Sequence, residues 1–240
     1  MDYSLIKRLQ ALTPPGTEKR FSTVEEWKAF QAEEGRKDSE RIAKANHDNR
    51  IKRIMGRSGI SDLHAECSFD NYNASTKGQQ AALKKAREYA DTFNGVLRGF
   101  IFSGLPGTGK NHLAAAIANQ LINSGKSVLI VTIAEMMIKF RDTYRKDSEM
   151  SEAKLLDWLC GVDLLILDEI GIQHGTDNVD ILLNTIVDRR LASKKPIGML
   201  TNLNNIDFEG KVGPRIMDRM RMGGSIWVPF DWDSYRKFVR

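Results

Sequence analysis

Gly104-Leu105-Pro106-Gly107-Thr108-Gly109-Lys110-Asn111 is the stretch that decides the fold. It follows an apolar run, Phe100-Ile101-Phe102, and opens a helix-like segment rich in Ala and Leu. Three glycines let the backbone curl until its N–H groups face one point. The start of the helix adds a positive dipole end there, and Lys110 reaches the outer phosphates of a nucleotide. The spacing G-x-x-x-x-G-K, with strand before and helix after, specifies a phosphate-binding loop rather than a chance glycine turn. The next residue of such loops is usually Ser or Thr, whose hydroxyl ligates Mg²⁺. Here it is Asn111, whose amide carbonyl is also a neutral oxygen ligand but on a longer side chain. ATP binding is therefore expected, and fast hydrolysis is not.

The acidic partner such a loop requires stands downstream in Leu164-Leu165-Ile166-Leu167-Asp168-Glu169. A buried strand delivers two carboxylates at its C-terminal end, where ligands of open parallel sheets sit. Asp168 would hold Mg²⁺, directly or through water, and Glu169 would polarise an attacking water as general base. Further short apolar runs lie at 99–103, 127–132, 162–167, 197–201 and 225–230, with helical stretches at 109–123, 134–146, 151–160 and 178–191. Runs that do not alternate are buried on both faces, so this order predicts a parallel sheet covered by helices.

Other polar landmarks admit two readings each. Asn202 ends the run 197–201; it points at the γ-phosphate if that strand lies beside the loop strand, and otherwise it is a turn residue. Gly213-Pro214-Arg215 starts a helix, with Arg219 and Arg221 following. These arginines are either solvated charge or the source of an arginine finger for a neighbouring subunit. Tyr144-Arg145-Lys146 is either a solvated helix end or a basic, aromatic patch for single-stranded DNA. The aromatics of Trp232-Asp233-Ser234-Tyr235-Arg236 read as packing residues. His47, His64, His112 and His174 make neither a metal cluster nor a catalytic pair.

The first 60 residues differ from the rest. Leu5, Ile6, Leu9 and Leu12 mark a short amphipathic helix stopped by Pro14-Pro15-Gly16. Ser22-Thr23-Val24-Glu25 reads as a capping box opening a second helix, with Trp27 and Phe30 on one face. Residues 36–57 are nearly all polar and carry a net charge of +5, as large as that of the whole chain, and Arg57-Ser58-Gly59 ends them. Such a segment cannot build its own core. It is either a solvated arm or a docking arm anchored by Trp27 and Phe30. The domain division expected is 1–60 for the arm and 61–240 for the catalytic domain. Two cysteines without metal spacing suit a reducing compartment, and no apolar run reaches the length of a membrane span. A cytoplasmic protein is expected, and a pI near 9.1 mildly favours a polyanionic partner.

Over residues 50–240 the sequence resembles the DnaC-type bacterial replicative-helicase loaders, within the oligomeric AAA+ ATPases. The resemblance is carried by Arg57-Ser58-Gly59-Ile60, Cys67-Ser68-Phe69-Asp70-Asn71-Tyr72, Gly107-Thr108-Gly109-Lys110-Asn111-His112-Leu113-Ala114 and Asp168-Glu169-Ile170-Gly171. Val187-Asp188-Arg189-Arg190, Met217-Asp218-Arg219-Met220 and Trp232-Asp233-Ser234-Tyr235-Arg236 add to it. Asn111 belongs to the family's GTGKNHLA run, so what departs from the general loop agrees with these loaders.

The resemblance implies an AAA+ P-loop α/β domain with a five-stranded parallel sheet between helices, preceded by a small helical N-terminal domain that binds the helicase. It implies that Gly104, Pro106, Gly107, Thr108, Gly109, Lys110, Asn111 and His112 bind ATP or ADP, with Phe69 and Tyr72 near the base. It places Mg²⁺ on Asn111 and Asp168, the general base at Glu169, sensor 1 at Asn202, the finger at Arg215 and sensor 2 at Arg236. It further implies self-assembly, a hexameric DnaB-type helicase as partner, and single-stranded DNA contacted near the divergent loop 172–180. That divergence suits a prophage or plasmid relative. A transposition helper ATPase (IstB-like) and a non-hydrolysing nucleotide-dependent adaptor are the alternatives.

Overall fold

The computed structural model describes residues 24–55, 62–95, 97–171 and 177–235. The expected helix at Leu5–Leu12, the cap at Ser22-Thr23, the Arg57-Ser58-Gly59 stop, His174 and Arg236 lie outside the described residues. Two compact units divide between Ile54 and Met55.

In the first unit, helix α1 (Val24–Met55) is one uninterrupted run of 32 residues. Few of its positions are apolar, so packing cannot explain it. Local ion pairs do: Arg36 reaches Glu40 at 2.8 Å and Glu33 at 3.3 Å, Lys37 reaches Glu33 at 3.5 Å, and Arg41 reaches Asp38 at 3.4 Å. Pairs three and four apart each add about 0.2–0.5 kcal/mol to an exposed helix. Trp27 is 41% exposed, and Phe30 is half-buried.

The second unit opens with the short α2 (Asp62–Ala65) and α3 (Lys77–Asp91). A reciprocal capping box between Thr76 and Gln79 starts α3. Five strands follow: β1 (Phe100–Gly104), β2 (Val128–Thr132), β3 (Leu164–Ile170), β4 (Ile197–Thr201) and β5 (Ile226–Phe230). Between them lie α4 (Lys110–Asn123), α5 (Ile133–Asp142), α6 (Glu152–Gly161), α7 (Asp177–Ala192), α8 (Asn205–Val212) and α9 (Pro214–Met222). All strand pairs are parallel, in the order β2-β3-β4-β1-β5. The five-stranded sheet between helices is thus observed.

Successive strand residues serve opposite faces. Phe100, Phe102, Leu164 and Ile166 pack with α3 and α4, while Ile101, Leu165 and Leu167 pack with α5, α6 and α7. Both sides are dry, which is why the runs do not alternate. Arg190 is fully buried among these layers and donates to the carbonyls of Leu159, Cys160, Val162, Asp163 and Pro196. It staples the start of β3 to the turn before β4. Neither α3 nor α8 was predicted; α8 starts at Asn205, behind an Asn204 cap and three residues past Asn202. Among the described residues no helix is long and apolar enough to cross a membrane.

Candidate nucleotide-binding site

The loop between β1 and α4 begins where β1 presses on β5. A Cβ on Gly104 would sit 2.1 Å from the Phe230 carbonyl, so no side chain fits. Gly109 stands at the N-cap of α4 with φ 95°, and a Cβ there would meet the Tyr72 ring at 2.7 Å. Thr108 is buried and donates its hydroxyl to the Leu105 carbonyl at 2.7 Å, while Leu105 and Pro106 are exposed. The curled loop faces the helix N-terminus, the geometry of an anion cradle.

Lys110 is buried, and its Nζ donates to the carbonyls of Gly104 at 2.6 Å and Leu105 at 2.9 Å and to Asn202 Oδ1 at 2.9 Å. Strand β4 lies beside β1, so the condition placed on Asn202 by the sequence is met. Burial pulls the ammonium pKa down to about 8, against the opposing pull of Asp168. A bound phosphate favours the charged amine, so ATP binding takes up a proton wherever Lys110 is partly neutral. Affinity should therefore hold below pH 8 and fall up to about tenfold per unit above it. Calorimetry at pH 8.5 in buffers of different ionisation enthalpy should report proton uptake; its absence there would contradict this account of the lysine.

The acidic pair sits on β3. Asp168 is buried; its Oδ2 accepts from Asn111 Nδ2 at 2.6 Å and its Oδ1 from the Glu169 amide at 2.7 Å. Burial raises its pKa, opposed by those two hydrogen bonds and by Lys110. Between Leu167 and Ile170 the β3–β4 register shifts, with two residues on β3 facing one on β4. Glu169 occupies this bulge with φ 61°, and it is exposed where its neighbours are buried. A regular strand would send adjacent side chains to opposite faces; a bulge re-aims one of them. A non-glycine residue held there costs about 1–3 kcal/mol, strain that clusters at functional sites. Asn111 spends its amide N–H on Asp168, which leaves its Oδ1 and the carboxylate lone pairs as an all-oxygen set. That donor set suits Mg²⁺.

Two segments outside the strands grip the loop. Trp232 Nε1 donates to the Thr108 carbonyl at 2.9 Å, and the Tyr235 amide donates to Gly107 at 2.8 Å. Tyr72 lies against Gly109, with its hydroxyl 3.5 Å from the same Thr108 carbonyl. His112 Nε2 is 3.0 Å from the Ser68 carbonyl, and its ring meets Tyr72 edge-on at 5.4 Å. Asn119 donates to the carbonyls of His64 and Cys67 at 3.1 and 2.8 Å, pinning the same segment to α4. Phe69 lies deeper, buried in the core with Arg87 over its ring. The reading of Trp232 as packing missed its N–H; a tryptophan donor that is half-buried needs an acceptor, which is the signal available in sequence. Trp232→Phe keeps an aromatic ring but loses the indole N–H and with it one hydrogen bond of about 1 kcal/mol, so ATP affinity should fall about fivefold. Unchanged affinity would show that this bond does not shape the loop.

Arg215 is not part of this cluster. It lies on α9 and pairs with Asp188 of α7 at 2.8 Å.

A family model described as IstB-like ATP binding protein matches residues 30–237. The chain is 49% identical over 235 residues to the replicative helicase loader DnaC of Escherichia coli (strain K12), covering 98% of this chain and 96% of that one. It is 47% identical to the loader of the same name from Buchnera aphidicola subsp. Schizaphis graminum, covering 98% and 95%. A crystal structure of the DnaC helicase loader superposes with a TM-score of 0.62 at 20% identity, over 70% of this chain and 99% of that one, a likeness of fold. The resemblance read over 50–240 therefore extends into the arm, since the aligned 235 residues include most of residues 1–60.

Proposed function

This chain belongs to the DnaC family of replicative helicase loaders, within the IstB-like ATP-binding proteins, and from that premise we propose an ATP-controlled cycle for it. The observation that carries the reading is the convergence of loop, sensor and acid. Lys110 ties the loop to Asn202, and Asn111 ties it to Asp168. A nucleotide bound here is read at once by β1, β3 and β4.

In this cycle the loop amides and Lys110 hold the phosphates of ATP, and Tyr72 would lie towards the base, with Phe69 anchoring the same segment in the core. Asp168 and Asn111 would hold Mg²⁺, which neutralises phosphate charge. Asn202 senses the γ-phosphate, Glu169 takes the proton of the attacking water, and Arg215 of a neighbouring subunit steadies the developing charge. Arg236 would contact ATP of its own subunit; Trp232 and Tyr235, bonded to the loop, hold the chain just ahead of it. ATP favours an assembled spiral and hydrolysis releases it, to the extent that the two states differ in nucleotide affinity. Turnover is slow and stimulated by DNA.

The N-terminal arm docks on the hexameric helicase through Trp27 and Phe30. Exposed Tyr144, with Arg145 and Lys146 beside it, offers a stacking ring and positive charge to single-stranded DNA in the cytoplasm. The cycle is tested by mixing the full chain with the hexameric helicase and closed circular single-stranded DNA. Helicase should be retained on the circles only with this chain and ATP together. Trp27→Ala/Phe30→Ala should abolish capture while ATP binding persists. Failure of the wild-type chain to bind any replicative helicase, with a shift of duplex DNA instead, would favour a transposition helper.

A further inference from the structure

Away from the phosphate loop, one carboxylate holds two arginines. Asp188 of α7 accepts from Arg215 Nη2 through Oδ2 at 2.8 Å, and its Oδ1 lies 2.6 Å from Arg219 Nε. Both arginines come from α9. The pairs are unequal. The Arg219 side chain is 19% exposed and the Arg215 side chain 67%, with Asp188 between them at 32%. The inner pair fastens α9 to α7 and fixes the carboxylate. The outer pair stands in solvent, where such bonds are weak. It cannot imprison Arg215, but it can choose its direction.

A guanidinium carries five N–H donors in a rigid plane. Asp188 takes one on Nη2, so Nε and Nη1 still have donors for a phosphate. A long side chain that is already oriented loses less freedom when it engages a ligand. We propose that Asp188 is a positioning residue for Arg215, held in place by Arg219, which presets the arginine to act on ATP bound by the next subunit. The inference rests on the reading of Arg215 as a finger. It predicts that losing Asp188 slows the chemical step without loosening ATP in the variant's own loop. Asp188 then belongs to the interface between copies, although it touches no nucleotide.

The test is ATP turnover by the full chain with single-stranded DNA, comparing wild type with Arg215→Ala, Asp188→Asn and the double variant. Asp188→Asn should lower kcat roughly tenfold with KM for ATP unchanged. The double variant should be no slower than Arg215→Ala, because both act through one group. Mixing Asp188→Asn with Glu169→Gln copies should restore turnover, since the latter lend intact fingers to the former's active sites. A merely structural defect would not recover on mixing. Asp188→Glu, which keeps the charge, should fall between wild type and Asp188→Asn and serves if the amide variant folds poorly. Wild-type turnover by Asp188→Asn beside a defective Arg215→Ala would overturn the proposal, as would additive losses or no recovery on mixing. Wild-type turnover by Arg215→Ala, or none by the wild type, would remove the finger reading and the role of Asp188 with it.

Discussion

Replacing Lys110 by alanine should weaken ATP binding by about 100-fold or more and abolish nucleotide-dependent assembly. The ammonium is the only charged donor that contacts the loop carbonyls among the described residues, with Gly104, Leu105 and Asn202 as its acceptors. A bond from a charged donor contributes about 1.5–3 kcal/mol, and each 1.4 kcal/mol is tenfold in affinity. Lys110 also links β1 to β4, so its loss separates the loop from Asn202. The fold should survive. Burial holds the ammonium pKa near 8, which means that keeping a charge here costs stability. Lys110→Met preserves the aliphatic stem and should behave as alanine does. Titration with a fluorescent ATP analogue and sedimentation with and without ATP check the result. Normal ATP-dependent assembly in either variant would remove the mechanism.

Glu169→Gln should leave ATP affinity within about twofold and lower hydrolysis by about 10²–10⁴-fold, the range for loss of a positioned general base. Glutamine has the same shape, so the bulge at φ 61° is no more strained than in the wild type. The Glu169 amide that bonds Asp168 belongs to the backbone and is retained. Assembled protein and captured helicase should therefore accumulate, because ATP still binds but is not removed. Asp168→Asn offers the contrast: it alters the buried acceptor of Asn111 and should weaken Mg²⁺-dependent binding itself. Hydrolysis by Glu169→Gln at the wild-type rate would place the base elsewhere. A wild-type chain that turns over no ATP with DNA present would favour the nucleotide-dependent adaptor.

The phosphate loop, the acidic pair and the five strands were legible because each is written within a few consecutive residues. Glycine spacing, a dry run such as 164–167, and a proline at 214 are local properties. Strand β4 was read at its observed bounds, whereas the run read as 162–167 starts two residues before β3 and ends three short of it, because the charged pair Asp168-Glu169 carries the polar signature of a loop. Helix α3 escaped because three of its four buried positions are alanines, Ala82, Ala86 and Ala90, with Tyr89 the only large one, which gives a weak apolar stripe. Arg190 enters the sequence reading only within the run Val187-Asp188-Arg189-Arg190, with no role of its own. Only the fully buried surroundings and five carbonyl acceptors reveal its role.

The sequence by itself determined that this protein binds a nucleotide, that a parallel sheet carries the site, and that Asn111 replaces the usual hydroxyl. It did so because curled backbone, strand burial and helix start depend on neighbours in the chain. Tertiary structure decided what those residues touch. Lys110 meets Asn202 across 92 residues, and Trp232 meets Thr108 across 124. Those meetings follow from the order β2-β3-β4-β1-β5, which brings β4 and β5 to either side of β1. Periodicity is the same whichever strands are neighbours, so that order and the pairing of Asp188 with Arg215 exist only once the layers have packed.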